Sequence, residues 1–130
     1  MIYDVTIVGA GPAGANLARL IGERYTVLLI DKRELGIDKG SGPVGKCCGG
    51  LLAPDAQEMI ARLGLGIPKE VLVDPQLFAV RTIDLNNHLE RLYQRFYFNM
   101  DRGKFERWLI STLPAAVDRQ FGCVFQDYVP

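Results

Sequence analysis

An α/β fold built on a parallel strand–helix–strand unit is predicted for this chain of 130 residues, and three observations predict it. An apolar, β-branched stretch over 2–8 runs directly into Gly9-Ala10-Gly11-Pro12-Ala13-Gly14. Leucine and isoleucine then recur at helical spacing through Leu17, Leu20 and Ile21. Finally, Tyr25-Thr26-Val27-Leu28-Leu29-Ile30 reads as a buried parallel strand that ends on Asp31. Strand, glycine turn, helix, strand and acid in this order form a Rossmann-like arrangement, the context in which G-x-G-x-x-G binds a dinucleotide.

Each position of the turn has a physical task. Gly9 permits the tight turn, Gly11 lets the backbone approach a pyrophosphate, and Gly14 lets the helix pack close to the strand. Ala13, after Pro12, opens the helix, whose free N–H groups and dipole favour phosphate charge. Asp31 stands where an acid accepts hydrogen bonds from an adenosine ribose; an acid there argues against a 2′-phosphate and leaves NAD and FAD open. Lys32 and Arg33 follow it and are candidates to meet the adenosine phosphates.

Further along, the strand and helix patterns predict a first strand over 2–8, a helix over 13–23 and a second strand over 26–30. Residues 32–50 are too rich in glycine for a regular element and, following the ribose acid, read as a cofactor-covering loop. Pro54 suits the first position of a helix, with Asp55 and Glu58 at its positive end, Met59, Ile60 and Leu63 on its apolar face, and Gly64, Gly66 and Pro68 stopping it. Alternation over 78–83, then Asn86-Asn87, then 85–94 reads as a hairpin about a two-residue turn, although Leu85, Leu89, Leu92 and Phe96 also fit a helix. A short strand over 96–100 leads to Asp101 as an N-cap and a helix through Leu113, with Phe105, Trp108, Leu109 and Leu113 as a buried stripe. A last strand is expected around Cys123-Val124-Phe125. The fold is thus a parallel sheet core with a small antiparallel hairpin addition, in a single domain over 1–130.

Composition narrows the functional classes. With 48% hydrophobic and 23% charged residues the chain can bury a core. Fifteen basic and fifteen acidic residues give no net charge, which offers nucleic acid no attractive field. No apolar run approaches the ~20 residues of a membrane span, and no signal-peptide pattern precedes the first strand. Three cysteines, two of them adjacent, do not suggest a disulfide framework, so a cytoplasmic location is expected. His88 has no second ligand at a useful spacing, and no metal site is visible.

Three local patterns resemble one family. Val8-Gly9-Ala10-Gly11-Pro12-Ala13-Gly14 is similar to the FAD form of the fingerprint. Lys46-Cys47-Cys48-Gly49-Gly50-Leu51 looks like the K-x-C-G-G segment near the flavin of the geranylgeranyl reductase family, within the flavoproteins of the para-hydroxybenzoate hydroxylase fold. Asp101-Arg102-Gly103-Lys104-Phe105-Glu106-Arg107-Trp108-Leu109 is similar to that family's R-x-x-F-[DE]-x-x-L helix opening. The resemblance implies FAD as cofactor, with Gly9, Gly11, Pro12, Ala13, Gly14, Asp31, Lys32, Arg33, Cys48, Gly49 and Arg102 as cofactor-binding positions. It also implies reduction of isoprenoid double bonds in an apolar substrate. Arg102, unfavourable to the dipole of the helix it opens, fits a nearby anion. Cys47 and Cys48, beside Lys46 in a glycine-rich loop, are weak catalytic candidates.

The family's later Gly-Asp motif and substrate-binding sheet have no counterpart, so an incomplete domain, inactive alone and prone to self-association, is expected. An NAD-dependent dehydrogenase domain and a non-catalytic nucleotide-binding module remain as alternatives.

Overall fold

The computed structural model describes residues 2–35 and 48–127. Most of the expected cofactor-covering loop, Cys47 included, lies outside the described residues. The chain divides into two compact units, Met1–Lys46 with Phe105–Pro130, and Cys47–Lys104. Each carries one three-stranded sheet.

The first unit holds β1 (Val5–Val8), α1 (Pro12–Ile21), β2 (Val27–Asp31) and β6 (Asp118–Phe121). Its strand order is β1-β2-β6. Both pairings are parallel, with Ile7 opposite Leu29 and Leu29 opposite Arg119. A parallel pair cannot be closed by a tight turn, and α1 supplies the crossover between β1 and β2. As the central strand, β2 buries Val27, Leu29, Ile30 and Asp31. The core comprises Ile7, Ala10, Ala18, Val27, Leu29 and Leu35, closed by Ile110, Leu113 and Val117.

Ile110 lies on α3 (Arg102–Ser111), the helix expected from the sequence. Asp101 caps it, its Oδ1 accepting the Lys104 N–H at 2.8 Å. Of the expected stripe, Phe105, Leu109 and Leu113 are buried, and the Trp108 ring is tilted against that of Phe105. Glu106, on the same helix, is buried as deeply as Leu109.

Two strand expectations are corrected. The first strand begins at Val5 rather than Ile2, whose side chain is exposed. The last strand is Asp118–Phe121, ahead of the apolar run at Cys123-Val124-Phe125. Ladder pairing to β2 outweighs composition there. Phe121 pairs opposite Asp31, and the chain then leaves the ladder, with the Cys123 N–H donating to the Asp31 carbonyl.

In the second unit, β3 (Leu51–Leu52), β5 (Leu89–Asn99) and β4 (Leu77–Asp84) form an antiparallel sheet in the order β3-β5-β4. α2 (Pro54–Arg62) starts at its proline and buries Ile60. Gln57 ties it down by donating through Nε2 to the carbonyls of Leu52 and Phe96. The expected hairpin is present, and the helical alternative for residues 85–95 is not. β5 runs unbroken through the separately expected strand at 96–100 as far as Asn99.

The hairpin turn differs from expectation. Four residues connect the pair Asp84 and Leu89, and the positive φ falls on His88, at 52°, rather than on an asparagine. Asp84 organises the loop by accepting from the N–H groups of Asn86 and Asn87 and from the Asn87 side chain. These hydrogen bonds hold the Asp84 carboxyl below its ordinary pKa. Among the described residues no helix is long and apolar enough to cross a membrane.

Candidate dinucleotide site

In the first unit, the chain leaves β1 at Val8 and enters α1 at Pro12 through a turn fixed by two bonds. The Gly9 N–H donates to the Ile30 carbonyl at 2.7 Å, and the Ala10 N–H donates to Asp31 Oδ2 at 2.8 Å. Gly9 has a φ of 106°, in the region that favours glycine. A Cβ at Gly14 would overlap the carbonyl oxygen of Gly9, so this glycine is what lets α1 begin against the strand end. A Cβ at Gly9 or Gly11 would meet nothing within 4 Å. The backbone there faces open space.

That space is a pocket of about 740 Å³ at the carboxyl ends of β1 and β2. Such a crevice is where open α/β sheets bind ligands. Gly9, Gly11, Pro12, Ala13, Gly14, Asp31, Lys32 and Arg33, eight of the positions expected to bind cofactor, all line it. Within α1 itself nothing neutralises the helix start: Gly11 provides no side-chain cap, and no acid lies in the first turn. Pro12 lacks an N–H, so the amides of Ala13 and Gly14 carry the positive end of the helix. These features suit an anionic group such as a pyrophosphate.

The opposite wall is one that sequence reasoning missed. Cys123, Val124 and Phe125, beyond the end of β6, line the same pocket. Val124 and Phe125 are exposed and apolar, which suits a flat ring rather than a charge.

Asp31 is buried and heavily hydrogen-bonded. Its Oδ1 accepts from the Arg33 backbone N–H at 2.8 Å and from Arg33 Nε at 3.0 Å, while its Oδ2 accepts from Ala10 N–H and Arg33 Nη2, each at 2.8 Å. Burial alone would raise the carboxyl. The Arg33 side chain, then the Arg33 and Ala10 N–H groups, outweigh it and bring the pKa from 3.8 down to about 2. The fork of Arg33 also reaches α3, where Nη1 donates to Glu106 Oε2 at 2.5 Å. Bonding to Asp31 foremost, against the cost of burial, raises the guanidinium above its ordinary value.

A carboxylate offers about four lone-pair positions, and four protein donors occupy them. Each oxygen of this expected ribose-binding acid thus already accepts two protein hydrogen bonds, and Asp31 still lines the pocket. Glu106 was not singled out from the sequence as a site residue, although it fills the acidic position of the helix-opening pattern quoted above.

Cys48, Gly49 and Arg102 belong to the second unit. Cys48 and Gly49 are exposed, and a Cβ at Gly49 would meet nothing within 4 Å. Arg102 is half-buried at the start of α3.

No family profile matches the chain. It is 44% identical over 116 residues to Protein CbrA of Escherichia coli K12, and equally to Protein CbrA of Shigella sonnei, a match that covers 89% of this chain and 32% of each relative. The chain thus spans about a third of the length of the curated relatives it matches.

Among solved structures, it superposes on a geranylgeranyl bacteriochlorophyll reductase-like protein from Thermoplasma acidophilum with a TM-score of 0.71 at 21% identity, covering 92% of this chain and 30% of that one. It also superposes on aklavinone-11 hydroxylase, determined with FAD and aklavinone, with a TM-score of 0.59 at 16% identity, covering 92% and 25%. The myxobacterial chondrochloren halogenase, an FAD-dependent enzyme, matches at 0.58 and 16%, covering 92% and 28%. At these identities the likeness is one of fold. The chain has the mixed α/β fold found in FAD-linked proteins, with a parallel three-stranded sheet and an antiparallel sheet.

Proposed function

We propose that this chain binds the ADP part of FAD and belongs to a flavin-dependent oxidoreductase. The observation that carries this reading is the glycine turn: an uncapped helix start and an unobstructed backbone at Gly9 and Gly11 open onto one pocket, and Gly14 sets the helix against the strand. The FAD-linked names of the structural neighbours support flavin over a nicotinamide dinucleotide. In this reading Ala13 and Gly14 hold the pyrophosphate, Lys32 and Arg33 lie at the adenosine end, and Val124 and Phe125 pack on the adenine. Bound flavin would supply the redox chemistry.

Reduction of isoprenoid double bonds is the finer reading. It is supported by the K-x-C-G-G-like segment and by the name of the Thermoplasma acidophilum neighbour. Cys48, Gly49 and Arg102 would then lie on the flavin side, in a protein located in the cytoplasm.

Flavin titration of the chain, followed by fluorescence quenching, tests the cofactor. Saturable quenching is expected, weak in the isolated 130 residues, and Gly11→Val should abolish it while the circular dichroism spectrum is retained. A side chain at Gly11 enters open pocket rather than protein, so the fold tolerates it and the ligand does not. Unaltered FAD affinity in Gly11→Val would remove the assignment.

A further inference from the structure

Ala10 sits in the middle of the glycine turn and is fully buried, and its N–H donates to a carboxylate rather than to a backbone carbonyl. That carboxylate, Asp31, is gripped in turn by the Arg33 fork, and Arg33 reaches across to Glu106 on α3. We infer that Glu106 is a positioning residue for the dinucleotide site: through Arg33 and Asp31 it sets the glycine turn where the turn can take a pyrophosphate. The inference rests on the dinucleotide reading above. It adds a residue that is not among the described ones lining the pocket.

Four residues from three stretches of the chain form one unbroken line of bonds, all within the first unit. Ala10 N–H and Arg33 Nη2 meet Asp31 Oδ2 at 2.8 Å, Arg33 Nε meets Oδ1 at 3.0 Å, and Arg33 Nη1 meets Glu106 Oε2 at 2.5 Å. A bidentate fork fixes the plane of a carboxylate as well as its distance, and a second carboxylate on Nη1 fixes the fork. Two carboxylates against one guanidinium leave a surplus of negative charge. The backbone N–H groups of Ala10 and Arg33 face it at Asp31, and such charge-assisted bonds are stronger than those between neutral groups.

Glu106 is 1% exposed, on a helix whose other buried residues are Phe105, Leu109 and Ile110. An ion pair in such surroundings adds little net stability, since the desolvation of two charges offsets their attraction. What the acid supplies is direction. It holds Nη1, and so the orientation of the planar guanidinium, against a helix that Ile110 anchors in the core. Of the two bonds that fix the turn, from Gly9 to Ile30 and from Ala10 to Asp31, the second is the one this line of contacts reaches.

The test is amide hydrogen exchange of the 15N-labelled 130-residue chain, alongside FAD titration by fluorescence quenching. Glu106→Gln, which keeps the shape but removes the charge, should lower the protection of the Ala10 amide about tenfold relative to that of Leu29, and weaken FAD by about the same factor. Leu29 is the reference because it lies mid-strand in β2, paired on both sides. Ile110→Val, a core change outside the line of contacts, should lower both protections alike and leave FAD affinity unchanged. Equal losses at Ala10 and Leu29 in Glu106→Gln would make the acid merely structural and overturn the inference, as would unchanged FAD affinity. Should Glu106→Gln fail to fold, Arg33→Lys, which removes the fork, is held to the same selective loss at Ala10, and equal losses there overturn the inference. A selective loss at Ala10 in a chain whose parent quenches no flavin would uphold the hold of Glu106 on the turn and remove the dinucleotide reading.

Discussion

Asp31, marked in the sequence as a ligand-binding acid, is in the fold also an organiser of its neighbours. Its carboxyl is held at about 2 against an ordinary 3.8. A carboxyl depressed by folding stabilises the native state above its unfolded pKa, and that contribution disappears as pH falls through the folded value. The contribution is therefore complete above about pH 4 and lost towards pH 2, and amounts to about 2 kcal/mol. Asp31→Asn should lower stability at pH 7 and flatten its fall between pH 4 and pH 2; urea unfolding at several pH values measures both. Parallel curves for the variant and the parent would assign the acid sensitivity to other groups. The position of Asp31 was legible because the acid ends a continuous apolar run. Its partners were not, because Glu106 lies on a helix remote in sequence, and the helix-opening pattern that marks an acid there does not say which group it will meet.

Among the elements, those specified by local signals were the ones the sequence foretold. β1, α1 and β2 follow from apolar period and turn chemistry, and α2 and α3 from a proline start and an aspartate cap. β6 has the polar sequence Asp118-Arg119-Gln120-Phe121, and its ladder partner is remote in sequence, so only the folded chain identifies it. In the hairpin, Asp84 binds the loop amides, and the positive φ falls on His88 rather than on an asparagine. The joint between α1 and β1 offers a paired test. Gly14→Ala should cost at least the ~1–3 kcal/mol typical of overpacking, because its Cβ meets backbone, whereas Gly11→Ala, at a φ of −71° and in open space, should change stability by under about 1 kcal/mol. Thermal unfolding of both variants provides the comparison. Similar losses in the two would mean that the close approach at Gly14 is not what fixes the helix.

For the whole molecule, the hairpin of the second unit leaves large apolar side chains in water. Phe78, Ile83, Leu85, Leu89, Leu92 and Phe96 are each about half exposed or more, and grouped apolar surface of this kind drives association. The isolated chain should therefore self-associate with rising concentration. Sedimentation velocity should show this, with Leu92→Lys and Phe96→Ser shifting the distribution towards monomer. A single monomeric boundary at all concentrations would refute the expectation.

The sheet order β1-β2-β6 also governs the course of folding. The central strand has one neighbour that closes through a short crossover and another that arrives only after the entire second unit has been made. On a ribosome, β1, α1 and β2 emerge first, and one side of β2 has to wait unpaired until Asp118–Phe121 appears. Contacts between residues so far apart in sequence slow folding and extend the interval in which a bare strand edge can pair wrongly. The intervening length itself is thermodynamically cheap, since doubling a closed loop costs only about 0.6 kcal/mol. The hazard in this topology is thus one of timing: the faster β6 follows β2, the shorter the time for which the strand carrying Asp31 stands open to the wrong partner.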